Sequence, residues 1–229
     1  MKTYFSLLAL LVCSCSFAQH AKFASLTAGS HVLDVLSASD IYYFSKFTMG
    51  KVFFKDGSKS EAKLNYSSLL DEMQFINANG DTLALADEKN IQFIAIDNEL
   101  FYYEKGYVRF LSGNSVIKLA TSYVWRVGEK SKTNVYNSKS LASSTISLAS
   151  YFIFGLSRDL VVNQDLELTK EEQFYFGDKN NHIVLAGKKN LLTLFPKEKS
   201  RIETYLKDNK VDFANKNDLE KIVNFLKQP

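Results

Sequence analysis

Between Lys51 and Thr121 the chain is punctuated by turn-forming residues at intervals of about 8 to 12 residues, with a short apolar-rich run in each interval. Asp56-Gly57 and Asn79-Gly80 are hairpin dipeptides, because both central positions of a type I′ turn need a positive φ that Gly, Asn and Asp tolerate. Asp97-Asn98, Gly106 and Gly113-Asn114 continue the series. Within the intervals the period is two. Ala62, Leu64 and Tyr66 alternate with Lys63 and Asn65, and Met73 and Phe75 with Glu72 and Gln74, so each strand is expected to bury one face and wet the other. Ile91 to Ile96 and Phe101 to Tyr103 are apolar on both faces, which predicts central strands covered on two sides, or a curled sheet. This rhythm suits an antiparallel meander of about six to eight short strands, not strand–helix–strand units.

The rhythm breaks at residues 123–157. Ser131 to Ser150 is rich in Ser, Thr, Asn and Lys. It predicts the most mobile internal segment, because small polar side chains bury too little to offset backbone ordering at about 1 to 2 kcal/mol per residue. It leads into the apolar patch Tyr151-Phe152-Ile153-Phe154-Gly155-Leu156. That patch is too short to span a bilayer and is expected to dock on the core, with a membrane-inserting or partner-binding segment as the alternative.

Beyond Arg158, strand patterning returns over Leu160 to Leu168, then in Gln173 to Phe176 and Ile183 to Ala186 on either side of the turn Asp178-Lys179-Asn180-Asn181. Pro196 suits the first turn of a helix, where its missing N–H costs nothing, and Ile202, Tyr205 and Leu206 form a short stripe behind it. Asn217 is expected to cap the last helix with Glu220 at capping-box spacing. Leu219, Ile222, Val223 and Leu226 then follow at i, i+3, i+4 and i+7. The expected class is α+β. A mostly antiparallel β-meander sheet, or curled sheet, occupies residues 19–122, a Ser/Thr-rich flexible loop residues 123–157, and a C-terminal β-hairpin with two to three short helices packs on the sheet from residues 158–229.

The N-terminus supplies an address. Lys2 is a positive n-region, Phe5 to Val12 an apolar h-region, and Ser16-Phe17-Ala18 places small residues where a signal peptidase reads. Residues 1–18 are expected to be a cleaved signal peptide, with Gln19 as first mature residue. The apolar run is about half the 20 residues a transmembrane helix needs. Val12-Cys13-Ser14-Cys15 loosely resembles a lipoprotein signal, so lipidation of Cys15 and an outer-membrane anchor is the alternative. Either route leads out of the cytoplasm, to the periplasm or the exterior. Cys13 and Cys15 are the only cysteines, so a chain cut after Ala18 has no thiol chemistry and depends on packing for stability. What remains suits one large domain or two small ones. The formal charge of the full chain is +3, of which Lys2 carries one, and acids and bases are interleaved, so no nucleic-acid or anionic-membrane footprint is expected.

Three stretches resemble an uncharacterised family of exported proteins from Bacteroidota. The first is Gly50-Lys51-Val52-Phe53-Phe54-Lys55-Asp56-Gly57. The second is Leu64-Asn65-Tyr66, followed by Glu72-Met73-Gln74-Phe75-Ile76 and Gly80-Asp81-Thr82-Leu83-Ala84-Leu85. The third is Leu192-Thr193-Leu194-Phe195-Pro196-Lys197 with the later run Tyr205-Leu206-Lys207-Asp208-Asn209-Lys210 and the start of the final helix. The likeness covers most of the chain outside residues 1–18 and 123–157. It implies an address and an architecture, with no activity or ligand attached. Leu64-Asn65-Tyr66-Ser67 departs slightly from a commoner Leu-Asn-Tyr-Asn spelling.

Candidate chemistry is sparse. Asp71, Glu72 and Asp81 lie near one hairpin, and a glycosidase pair would need two carboxylates facing across a cleft. Asn77-Ala78-Asn79-Gly80-Asp81 looks superficially like a calcium loop but lacks the bidentate Glu at loop position 12, so it reads as turn chemistry. Gly155-Leu156-Ser157-Arg158 lacks the spacing of a nucleophile elbow and a nearby histidine. His20, His31 and His182 are far apart in sequence, and His31 reads as a strand-edge or surface residue, since zinc needs three or four converging donors. No catalytic, cofactor-binding or metal residue is assigned. Tyr42-Tyr43-Phe44 and Phe101-Tyr102-Tyr103 place aromatic side chains on both faces of expected strands, where they can bind sugars, peptides or a partner sheet, or pack under loops. The expected function is non-enzymatic binding or scaffolding in the cell envelope, with a protein or glycan partner, no nucleic acid, no cofactor and no transmembrane segment in the mature chain. The alternatives are a glycan or peptide hydrolase whose carboxylates meet only in the fold, and an outer-membrane-associated component. A membrane barrel ranks last because its strands run about 9 to 11 residues.

Overall fold

The computed structural model describes residues 22–129, 147–150 and 160–227. Turn residues punctuate the first half as expected, but Asp56-Gly57 and Asn79-Gly80 are not type I′ turns, since only the glycine of each pair has a positive φ. Gly57 and Gly80 take φ of +87° and +89°, and Asp56 Oδ1 accepts from the Ser58 N–H and hydroxyl at 2.8 and 2.7 Å. Between the turns run β2 (Thr48–Phe54), β3 (Lys59–Ser67), β4 (Glu72–Ile76), β5 (Thr82–Ala84), β6 (Ile91–Ile96), β7 (Glu99–Tyr103), β8 (Tyr107–Gly113) and β9 (Lys118–Glu129). They are joined by β1 (Lys22–Leu26), β10 (Leu166–Gly177) and β11 (Ile183–Leu185) in one open sheet, ordered β1-β10-β9-β8-β7-β6-β2-β3-β4-β5, with β11 on β10 beyond the end of β1. Every strand pairing is antiparallel. Short helices complete the described chain: α1 (Val32–Val35), α2 (Ala38–Ile41), α3 (Lys188–Leu194), α4 (Lys199–Asp208) and α5 (Lys216–Lys227).

This is the sheet-rich α+β architecture expected, with four corrections. Among the described residues the sheet has eleven strands, not six to eight: the meander supplies eight, β2 to β9, and β10, the expected β11 and the unexpected β1 extend it. The strand expected at Leu160 to Leu168 begins only at Leu166 and runs without a break through Gln173 to Phe176, so β9 and β10 are twelve residues each and pair along their whole length. Tyr42 to Phe44 belong to no strand. They form an extended link after α2 whose ladder contact is the isolated bridge Tyr42–Ser67. The last helix is capped by Asn215, whose Oδ1 accepts from the N–H of Asn217 at 2.9 Å, two positions before the residue expected. The segment 131–146 of the expected mobile loop and the apolar patch Tyr151 to Leu156 lie outside the described residues.

Three apolar clusters sit on this sheet. Val52, Leu64, Met73, Ile94, Ile96 and Phe101 pack together from β2, β3, β4, β6 and β7. Val32, Leu36 and Ile41 from the α1–α2 region cover Trp125 and Val127 of β9 and Leu166 and Leu168 of β10. At the other end of the same two strands, Leu191, Ile202, Leu219, Ile222 and Val223 from the C-terminal helices cover Leu119, Phe174 and Phe176. The stripe on α5 therefore packs on the sheet, as its period of 3.6 requires. Among the described residues no helix is long and apolar enough to cross a membrane.

Candidate functional site

The β9–β10 pair carries one face with apolar ends and a polar middle. Cross-strand partners share a face, and the register places Leu119 opposite Phe176, Thr121 opposite Phe174, Tyr123 opposite Glu172, Trp125 opposite Lys170 and Val127 opposite Leu168. The helices cover both ends, and among the described residues the middle, Thr121, Tyr123, Lys170 and Glu172, belongs to neither apolar cluster. Here a cleft of about 220 Å³ opens, walled by Tyr42, Tyr43, Tyr66 and Tyr123, with Ser39, Ser68 and Lys170 completing its lining.

Local hydrogen bonds hold the second wall. The Ser37 N–H and hydroxyl donate to Asp40 Oδ2 at 3.1 and 2.7 Å, which sets α2. The Asp40 carbonyl then accepts from Lys170 Nζ at 2.7 Å, and the Ile41 carbonyl from the Ser68 N–H at 2.8 Å, so α2 is tied to both β10 and the end of β3. Asn65 zips the link that follows: its Oδ1 accepts from the Phe44 N–H at 3.0 Å and its Nδ2 donates to the Phe44 carbonyl at 2.9 Å. Period two placed Asn65 on a wet face, but it is 1% exposed, because residues 42–44 cover that face and need a side chain that both donates and accepts.

Three of the four cleft tyrosines are held at the hydroxyl. Tyr42 donates to Gln74 Oε1 at 3.0 Å, Tyr43 to Glu99 Oε1 at 3.0 Å and Tyr66 to Asp71 Oδ1 at 2.8 Å, while the charge of Glu172 lies near the Tyr123 hydroxyl. Burial raises the pKa of all four phenols. For Tyr43 it reaches about 12, although the Arg109 charge pulls the other way. The phenols are therefore neutral donors throughout the physiological range, and the anchored hydroxyls leave the rings as the wall. Arg109, paired with Glu99 at 3.0 Å, lies over the Tyr43 ring at 5.1 Å. The Lys170 ammonium lies over Tyr123 and Trp125 at 5.3 and 5.5 Å from the ring centres, within cation–π range.

The residues singled out in the sequence are distributed differently. Asp71 and Asp81 flank opposite ends of the five-residue β4, roughly 17 Å at 3.4 Å per residue, so they form no facing pair. Glu72 accepts from Gln74 Nε2 at 2.9 Å. Asn77 Oδ1 accepts from the N–H groups of Asn79 and Asp81, both at 2.9 Å, which is turn chemistry. Among the described residues no group of three or more His, Cys, Asp or Glu converges as for a metal. His31 caps α1, its Nδ1 accepting from the Leu33 N–H at 3.2 Å, and His182 is exposed beside Asp178. Phe101 to Tyr103 lie in β7, Phe101 buried against Tyr43, Phe44 and Tyr66. On the opposite face of the sheet Phe53, Phe93, Tyr102 and Phe110 form a second aromatic row across β2, β6, β7 and β8. Of the cleft residues, Tyr42, Tyr43 and Tyr66 were visible in the sequence. Ser39, Ser68, Tyr123 and Lys170 were not, although Lys170 and Glu172 interrupt a period-two apolar stripe of Leu166, Leu168, Phe174 and Phe176, a break that marks a polar opening.

No protein-family model, no curated protein and no solved structure matches this chain.

Proposed function

We propose that this chain is a non-enzymatic binding protein of the cell envelope, which holds a partner or ligand at the tyrosine cleft. One observation carries the reading: four tyrosine rings from three separate parts of the chain converge on one opening, and three of the hydroxyls are tied to an acceptor. Rings locked in this way lose little side-chain entropy when a ligand arrives, so the site is preorganised for contact. Of the carboxylates nearby, Glu99 and Asp71 serve as those acceptors, and among the described residues no carboxylate lines the cleft. The signal-peptide pattern of residues 1–18 supports an envelope address.

The test is recovery from the native envelope of tagged full-length protein, wild type beside Tyr43→Ala and Lys170→Met, with the bound species compared quantitatively. A species enriched by wild type and depleted in both variants supports the reading. Equal recovery by all three, or location of the protein in the cytoplasm, overturns it.

A further inference from the structure

The sheet ends at β5 in an edge that nothing blunts. Among the described residues β5 pairs with β4 alone, and all three of its residues are exposed, Leu83 at 45%. An edge strand presents unpaired N–H and C=O groups, and proteins ordinarily guard it with a Lys, a Pro or a covering loop. Thr82 to Ala86 carry neither a charge nor a proline.

Two bonds on either side of β5 fix which backbone groups face outward. The Leu85 N–H donates to the Met73 carbonyl at 2.8 Å, and the Asn77 N–H to the Asp81 carbonyl at 3.0 Å. Bonded and non-bonded pairs alternate along an antiparallel ladder. With Leu83 opposite Phe75, Asp81, Leu83 and Leu85 therefore turn their backbone groups to β4, while Thr82 and Ala84 turn theirs to the open side. This spacing makes the edge self-complementary. If a second copy lies antiparallel and centred on Leu83, Thr82 of each copy meets Ala84 of the other in a bonded pair, which gives four N–H···O=C bonds. Leu83 then meets its counterpart in the non-bonded pair, where side chains approach most closely. Register places Leu83 on the face of Phe75 and Leu64, so the pairing carries that apolar face across the junction. Charge selects the same arrangement. The nearest charges are Asp81 and Asp87, and the centred pair sets them opposite Leu85 and Asn79. A parallel pair in register would oppose each carboxylate to its own copy, which is destabilising.

We infer that Thr82–Ala84 is a self-association surface, through which two copies of this chain join edge to edge about a two-fold axis at Leu83 and continue one sheet through both. A three-residue edge buries less than the roughly 1,000 Å² of a lasting interface, so the pair is reversible and depends on concentration. The surface is separate from the cleft. No residue of β4 or β5 is among the cleft residues named above, so each copy brings its own cleft, and a repeating ligand can engage two at once.

The experiment uses purified protein beginning at Gln19, which contains no cysteine. In sedimentation equilibrium over a rising concentration series, the average mass of the wild type should climb from that of a monomer toward that of a dimer. Ala84→Pro removes an outward N–H from each copy and no bond to β4, so it should weaken association by about tenfold or more. Leu83→Lys should do the same while the melting temperature of dilute protein stays within about 2 °C, since the side chain is exposed. Leu83→Cys reads the register directly. The Cα atoms of a non-bonded pair lie about 4.5 Å apart, inside the range of about 4.4 to 6.8 Å that a disulfide spans. Mild oxidation should therefore link Leu83→Cys into dimers much faster than Ser58→Cys, placed at the exposed β2–β3 turn. A monomer at every concentration overturns the inference, as does a dimer indifferent to both Ala84→Pro and Leu83→Lys, or equal cross-linking at the two positions. Cross-linking of Leu83→Cys in the envelope to a different protein, with no self-linked dimer, overturns it in favour of a foreign strand at the same edge.

Discussion

Asp71 shows how much a single side chain can couple. It occupies the turn before β4 with φ of +55°, and its Oδ1 accepts from the Tyr66 hydroxyl at 2.8 Å and the Tyr107 N–H at 3.2 Å. A Cβ at Gly106 would stand 2.4 Å from its Oδ2, so glycine is what lets the β7–β8 turn close on the carboxyl. Burial of that carboxyl pushes its pKa up to about 6, against the two hydrogen bonds that lower it, with Glu72 adding a further push upward. A folded-state pKa above the unfolded one gives a stabilising contribution that is complete below the ordinary carboxylate range and is lost as pH rises through about 6. Asp71 as a residue still reaches solvent at the turn, so screening keeps the effect modest. Asp71→Asn keeps the acceptor oxygen and tolerates the positive φ. Thermal melts between about pH 4 and pH 7 should show wild type losing stability as pH rises, with a flatter profile in the variant. Identical profiles would remove Asp71 as the source. Asn65 is the second residue of consequence. Asn65→Leu leaves the Phe44 N–H and carbonyl without their partner, at roughly 1 to 3 kcal/mol for each group. Denaturant titration should show that loss, together with weaker ligand binding because the Tyr42–Tyr43 wall is no longer clamped.

The elements of the first half were legible because their signals are local. Positive-φ turn residues and period two need only the neighbouring positions to be read, which is why β2 to β8 fall where the turns place them. The period of α5 was equally plain, and its partner is now defined. Leu219, Ile222, Val223 and Leu226 are buried with Ile117, Leu119, Phe174 and Phe176, and Arg201 reaches the Phe225 carbonyl at 3.0 Å while lying over its ring. Leu219→Ala should therefore cost roughly 2 to 5 kcal/mol, read as a fall in melting temperature of about 2 to 4 °C per kcal/mol. Deletion of residues 217–229 should abolish soluble expression or lower the melting temperature further. A truncated monomer that melts unchanged would show that the helix is not core. The twelve-residue length of β10 was not legible, because Lys170 and Glu172 break its apolar period at the place where the cleft opens.

At the scale of the molecule, the expected export signal and the architecture rest on separate parts of the chain. The expectation that the mature protein begins at Gln19 is checked by N-terminal sequencing of the envelope fraction, and a lipidated Cys15 at that position would replace it with a membrane-anchored form. Stability should not respond to reductant in the form cut after Ala18, since both cysteines lie in residues 1–18. Strands from the two ends of the chain meet in one sheet, Lys22–Leu26 pairing with Leu166–Lys170 across more than half of the sequence. That long-range pairing brings α2, the end of β3 and the β9–β10 face together around the cleft. The sequence by itself determined the meander, the helical ending and the absence of thiols beyond residue 18, because each depends on residue type and spacing over a few positions. Only the tertiary structure decided which tyrosines share an opening, why Asn65 is dry and where Lys170 places its charge, because those outcomes depend on contacts between residues up to 130 positions apart, which no local period encodes.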